Sequence, residues 1–208
     1  MDRTALQKLD YGLYVLTAVD GGRGVGCVVS AVTPLATADP QLTVSLHREN
    51  FTARAVQRGK TFALSVLAES APLKLIERFG LCSCAEMDKF EGLQVAELRA
   101  MPCPAEHVSA ILICRVKDVT EAGERLLVLA GVTDAAVLSG EPPLRDKAYR
   151  LEQKGPVPPR ASPLLKKEAC FLKTGKMPPK PVLLRLWGVF FRPQNLKSFL
   201  QNEKNQKN

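Results

Sequence analysis

The β-rich apolar segments of this chain are joined by connections too short to hold repeated crossover helices. That constrains the fold more than any other feature. "YGLYVLTAVDGGRGVGCVVSAVTPL", residues 11–35, sets the pattern: two apolar runs flank the glycine-rich "DGGRGVG". Asp20-Gly21-Gly22 supplies residues that tolerate positive φ, which is hairpin chemistry. Parallel strands need a dozen or more residues to cross over, so short links favour antiparallel pairing. Six segments read as strands, residues 11–19, 27–33, 41–46, 61–67, 111–118 and 125–136, because β-branched and aliphatic residues cluster there between turn signals. In "QLTVSL" the alternation is strict: Leu42, Val44 and Leu46 fall on one face, Gln41, Thr43 and Ser45 on the other.

Two short helices interrupt the strands. "NFTARAVQRG" offers Asn50 as a cap and Gly59 as a stop. "SAPLKLIERFG" places Ser70 ahead of Pro72 in the first turn and Gly80 at the end, and Leu73, Ile76 and Phe79 fall at helical spacing as core candidates. The pattern predicts a mostly antiparallel barrel with peripheral helices. With 46% hydrophobic residues the chain can fill a real core. No 18-residue apolar run is present, so no membrane span is expected. "MDRTALQKLD" lacks an apolar signal core, which makes the cytoplasm the expected compartment and thiols the expected state of the six cysteines.

The formal charge of +8 is unevenly placed. Residues 1–163 hold 19 basic and 19 acidic side chains, whereas 164–208 hold 10 basic ones against Glu168 and Glu203. The main domain therefore lacks a nucleic-acid footprint, and the excess belongs to a basic tail that begins after the extended "KGPVPPRASP". Its "VLLRLWGVFF", residues 182–191, is too short to span a bilayer, and could be a packing segment or a peripheral membrane contact.

Several familiar motifs fail. Gly22, Gly24 and Cys27 do not make a dinucleotide fingerprint, because strand residues follow them. Cys82-Ser83-Cys84 is C-x-C with no second pair, and Cys103 with His107 is only one pair of ligand types, so no metal site is expected. A nucleophile elbow is absent.

The run from Tyr11 to Pro72, followed by "ERFG", "MDKFEG", "LLVLAGVTDAAVLSGEPPL" and "KGPVPPRASP", resembles the flavin reductase-like, FMN-binding split-barrel family over residues 1–163. The nearest members are similar to NAD(P)H-oxidising flavoproteins that are sometimes fused to rubredoxin. The resemblance implies a mainly β fold, a six-stranded antiparallel split barrel, paired as a homodimer with FMN near the subunit interface. It implies that Gly26, Cys27, Val28, Val29, Ser30, Ala31, Val32 and Thr33 run beside the isoalloxazine ring, and small residues there suit main-chain amides facing a flat ligand. Gly24 and Gly26 would leave the flavin face open.

For the phosphate, the family's K-x-N-Y-T-like segment matches Arg48-Glu49-Asn50-Phe51-Thr52, so Arg48, Asn50 and Thr52 are expected there. A helix start adds unpaired N–H donors. Read alone, Asn50 or Thr52 is equally a helix cap. "FGLCSCAEMDKF" is similar to the family's F-G-x-x-S-G-R-x-x-D-K-F: Ser83, Asp88, Lys89 and Phe90 match, Cys84 replaces glycine, and Ala85 replaces arginine. Ser83 and Lys89 join the expected cofactor ligands, and Arg23 or Arg48 is the candidate to compensate for Ala85. Relatives carry a histidine near the nicotinamide side of the flavin, where Arg125 stands here.

The activity implied is hydride transfer from NADH or NADPH to bound FMN, with electrons passed to an external acceptor: a rubredoxin-like protein, free flavin, ferric iron or oxygen. The alternative is a non-catalytic FMN-binding or interaction protein of the same fold. The tail has one cysteine, Cys170, so it cannot supply the paired C-x-x-C motifs of a rubredoxin domain.

Overall fold

The computed structural model describes residues 8–36, 38–146 and 149. The expectations for the tail 164–208 and the exit segment 154–163 lie outside the described residues.

The described residues form nine strands and two helices: β1 (Tyr14–Asp20), β2 (Arg23–Val29), β3 (Val32–Ala36), β4 (Gln41–His47), α1 (Phe51–Gly59), β5 (Thr61–Leu67), α2 (Leu73–Leu81), β6 (Val95–Leu98), β7 (Met101–Pro104), β8 (Val108–Ala122) and β9 (Arg125–Val137). The fold is mainly β and antiparallel, as the short connections require. The strand count differs from the six expected: one sheet carries seven strands in the order β2-β1-β5-β8-β9-β4-β3, and β6 pairs with β7 separately.

Much of that difference comes from residues 27–33, which were expected as one strand. The chain leaves β2 at Val29, makes a tight turn in which Val32 N–H donates to the Ser30 carbonyl (3.1 Å), and starts β3 at Val32. β2 and β3 stand at opposite ends of the strand order. Laid flat, those ends would be about 29 Å apart at the usual strand spacing. Three Cα–Cα steps from Val29 to Val32 reach at most about 11 Å. The sheet must therefore curl until its two edges approach, although among the named strands no ladder joins them.

The packing shows the same curl. Val25, Cys27 and Val29 of β2 share one core with Leu42, Val44 and Leu46 of β4, Phe62 and Leu64 of β5, and Leu126, Val128 and Ala130 of β9. The alternation in β4 is the one read from the sequence, with Leu42, Val44 and Leu46 all buried. A second core lies on the other face of the same strands, where Val15, Ala63, Ile111 and Ile113 meet Ile76 and Phe79 of α2 and Cys103 of β7. Leu75, not the expected Leu73, faces this core; Leu73 is 47% exposed because the helix begins there, directly after Pro72.

Local chemistry explains the element ends. Gly21 and Gly22 take φ of 58° and 80° between the paired Asp20 and Arg23, a two-residue turn that two residues of positive φ close with the right twist. Asn50 caps α1 by accepting the Thr52 N–H at 3.2 Å, and Lys60, at φ 54°, ends it one residue beyond the expected Gly59.

Candidate functional site

The residues singled out at β2, α1 and the loop after α2 do come together, but they divide into a sealed group and an open one. Gly26 is the centre of the sealed group. Its N–H donates to Cys84 Sγ (3.2 Å), and its carbonyl accepts from Lys89 Nζ (2.8 Å) and from Cys84 Sγ (3.3 Å). Lys89 Nζ also donates to the Phe79 carbonyl (3.0 Å) and lies 5.8 Å from the Phe79 ring. A lysine only 3% exposed thus ties β2 to the end of α2 through main-chain oxygens. The ammonium is desolvated, and charge-assisted bonds to two carbonyls offset part of that cost.

Cys27 lies beside this knot. Burial pushes its thiol pKa up; Lys89, Thr52 and Asn50 act against that, while Cys84 adds to it. The thiol is therefore held protonated, not poised as a nucleophile. Thr52 is fully buried, and its hydroxyl faces this interior without a hydrogen-bond partner of ordinary geometry among the described residues. Gly24 and Gly26 do not leave an open face. A Cβ at Gly24 would stand 2.8 Å from the Pro102 ring, and one at Gly26 would stand 2.9 Å from Phe79 and 3.1 Å from the Leu16 carbonyl oxygen. Both glycines admit neighbouring side chains rather than a ligand. Val28 and Val29 complete the inner half, Val29 in the first core and Val28 against Gly80 and the second.

The open group begins where β2 ends. Ser30, Ala31 and Val32 are half-buried and Thr33 is exposed. The Ala31 carbonyl accepts the Ser45 N–H at 3.0 Å. Ser45 in turn holds Arg125: Nε donates to its hydroxyl (2.8 Å) and Nη2 to its carbonyl (2.9 Å). Arg125 is thus fixed one residue away from the segment expected along the flavin. The sequence reading passed over Ser45, although its place on the polar face of "QLTVSL" marks it as facing away from the core.

The expected phosphate ligands are less uniform. Asn50 spends its side-chain oxygen on the α1 cap, and the Ala53 and Arg54 N–H groups reach the Asn50 carbonyl, so the helix start has fewer uncommitted donors than its sequence suggests. Arg48 stands half-exposed, 3.7 Å from Glu49 and 3.8 Å from Glu121. Ser83 accepts the Ala85 N–H at 3.2 Å and organises the loop turn. Arg23 reaches that same loop, donating to the Met87 carbonyl at 2.7 Å, and so places a guanidinium beside the stretch where Ala85 replaces arginine.

Ser30, Thr33, Arg48, Asn50, Ser83, Arg23 and Arg125, each half-buried or exposed, supply hydroxyls, one carboxamide and guanidinium groups. Those are the donors that an anionic, carbonyl-edged ligand needs, and the set fits a flavin nucleotide. Gly26, Cys27, Thr52 and Lys89 belong to the sealed group. Among the described residues no group of three or more His, Cys, Asp or Glu could hold a metal, and no helix is long and apolar enough to cross a membrane.

Comparison with known proteins agrees in class. A family model described as "Flavin reductase like domain" matches residues 6–154. The chain is 37% identical over 162 residues to a high molecular weight rubredoxin of Moorella thermoacetica, covering 77% of this chain and 71% of that one. It is 32% identical over 163 residues to a ferric-chelate reductase (NAD(P)H) of Archaeoglobus fulgidus, covering 78% and 96%. An FMN-binding protein from Thermus thermophilus shares the fold with a TM-score of 0.58 at 20% identity, over 64% of this chain and 73% of that one.

Proposed function

Given that the chain belongs to the flavin reductase-like domain family and is a flavin reductase-like oxidoreductase, we propose that FMN is its cofactor and NADH or NADPH its electron donor. The observation that carries the reading is the segment from Ser30 to Thr33, which leaves the sealed half and has Arg125 pinned beside it through Ser45. Bound FMN would supply the redox chemistry, taking a hydride equivalent from the nicotinamide and releasing electrons to an acceptor.

The chain's own residues bind and orient. Ser30, Ala31, Val32 and Thr33 would line the ring, and Asn50, Arg48 and Ser83 would meet the phosphate, with Arg23 standing in for the missing loop arginine. Arg125 is always charged, so it attracts the anionic dinucleotide without delivering a proton. Cys27, Thr52 and Lys89 keep the backing dry and rigid, which preserves orientation at close range. The acceptor is an external molecule. A rubredoxin-like protein and ferric iron are favoured by the names of the two relatives; free flavin and oxygen remain open. Reductase relatives set the non-catalytic alternative aside. We place two copies in the working unit, because Leu35 and Leu127 expose large apolar side chains on β3 and β9.

Anaerobic mixing of the FMN-loaded protein with NADH and NADPH tests the reading. Rapid bleaching of the flavin band with either donor is expected. Flavin that binds but stays oxidised with both would overturn it, as would a failure to retain FMN.

A further inference from the structure

We propose that the cleft between the tip of the β6–β7 hairpin and the sheet binds a phosphate-bearing small molecule, through Arg99 and Arg115. The cleft encloses about 510 Å³, within the range of small-molecule sites. Arg99 and Arg115 line it with the hydroxyl-bearing Thr61 and Thr133, over apolar surface from Val19 and Met101.

Two observations single out this place. First, the described arginines nearly all have partners. Arg48, Arg54, Arg58 and Arg145 meet carboxylates, Arg23 and Arg78 meet carbonyls, and Arg125 meets Ser45. Arg115 has no hydrogen-bond or ion-pair partner among the described residues. A guanidinium with five donors in a fixed fork is the side chain best shaped for a phosphoryl group.

Second, the other arginine is held in place at a cost. Arg99 and Ala100 form the hairpin tip with φ of 52° and 60°, a left-handed pair made without glycine. Arg99 Nε donates to Asp134 Oδ2 at 2.7 Å, which latches the tip to β9. That bond uses one edge of the fork and leaves the cleft with a cation that is already positioned. Asp134 neutralises one guanidinium of the two, so the cleft keeps a net positive charge.

This place is not the flavin phosphate site. Gly59, at the last turn of α1, lines the cleft, whereas Asn50 caps the first. Nine helical residues separate those ends by about 13 Å.

Calorimetric titration of the full chain with inorganic pyrophosphate and with adenosine monophosphate, at fixed ionic strength, tests the proposal. Wild type should bind at least one of them, with the same affinity when the protein has been loaded with one equivalent of FMN and the excess removed. Arg115→Gln should weaken that binding about tenfold or more, and Arg115→Lys should restore part of it. Flavin retention by Arg115→Gln should match wild type. Equal affinities in wild type and Arg115→Gln, no binding by wild type, or loss of binding once one equivalent of FMN is loaded would each overturn the proposal.

Discussion

Residues 26–29 and 30–33 are neighbours in sequence and alike in composition, yet the structure uses them in opposite ways. The first four are closed in by Cys84, Lys89, Phe79 and the second core. The next four leave β2, turn at Ser30-Ala31 beside Ser45 and enter β3, with Val32 against the first core and Thr33 exposed. Small apolar residues therefore say little about whether a backbone meets a ligand or its own protein. What decides is the third partner: a loop side chain that seals the edge, or a strand whose polar face leaves it open.

The widest separation between the two halves comes from Lys89→Ala. It removes two charge-assisted bonds to buried carbonyls, leaving that of Gly26 with only the weak Cys84 thiol donor, and such bonds to a charged group contribute about 1.5–3 kcal/mol each. A loss of about 2–4 kcal/mol is expected, seen as a lower urea midpoint with an unchanged slope. A midpoint equal to wild type would mean that the sealed half is not held by this lysine. Gly26→Ala should cost less, about 1–3 kcal/mol, because its new methyl meets the Phe79 ring and the Leu16 carbonyl, and only the ring can yield. Relief by a second change, Phe79→Leu, would confirm the clash as the cause. The open half should respond in the reverse sense. Arg125→Gln should move stability by under about 1 kcal/mol, because its bonds to Ser45 lie at a half-buried edge where water can replace them. It should raise the KM for the nucleotide donor and leave FMN retention intact. A stability loss as large as that of Lys89→Ala would erase the distinction.

Parts of this were legible in the residues. The β4 face followed from strict alternation, and the Asn50 cap followed from its place before an apolar-periodic run, because both are local effects. The break at Ser30-Ala31 was not, since a lone serine inside an apolar run is a weak turn signal and the cause is the approach of two distant sheet edges. β6 and β7 were hidden by Pro102, Pro104 and a glycine-free turn at Arg99-Ala100. Lys89 matched a family pattern as a ligand, but it is claimed by the carbonyls of Phe79, ten residues back on α2, and of Gly26, 63 residues away on β2. Burial of a lysine is a tertiary outcome that no window of sequence displays.

The two-residue link from β2 to β3 also bears on how the chain reaches this state. Three of the six pairings in its seven-stranded sheet, β1–β5, β5–β8 and β4–β9, join strands that are not consecutive in the chain, so half of them wait on contacts between remote segments. Such topologies fold slowly, because loop closure precedes the energy that rewards it. Ser30 and Ala31 then couple the two edges: once β4 has docked on β9 and captured β3, β2 is already within reach of its place. The edges should form together in a single kinetic phase, and a slower second phase would arise only if that link were lengthened.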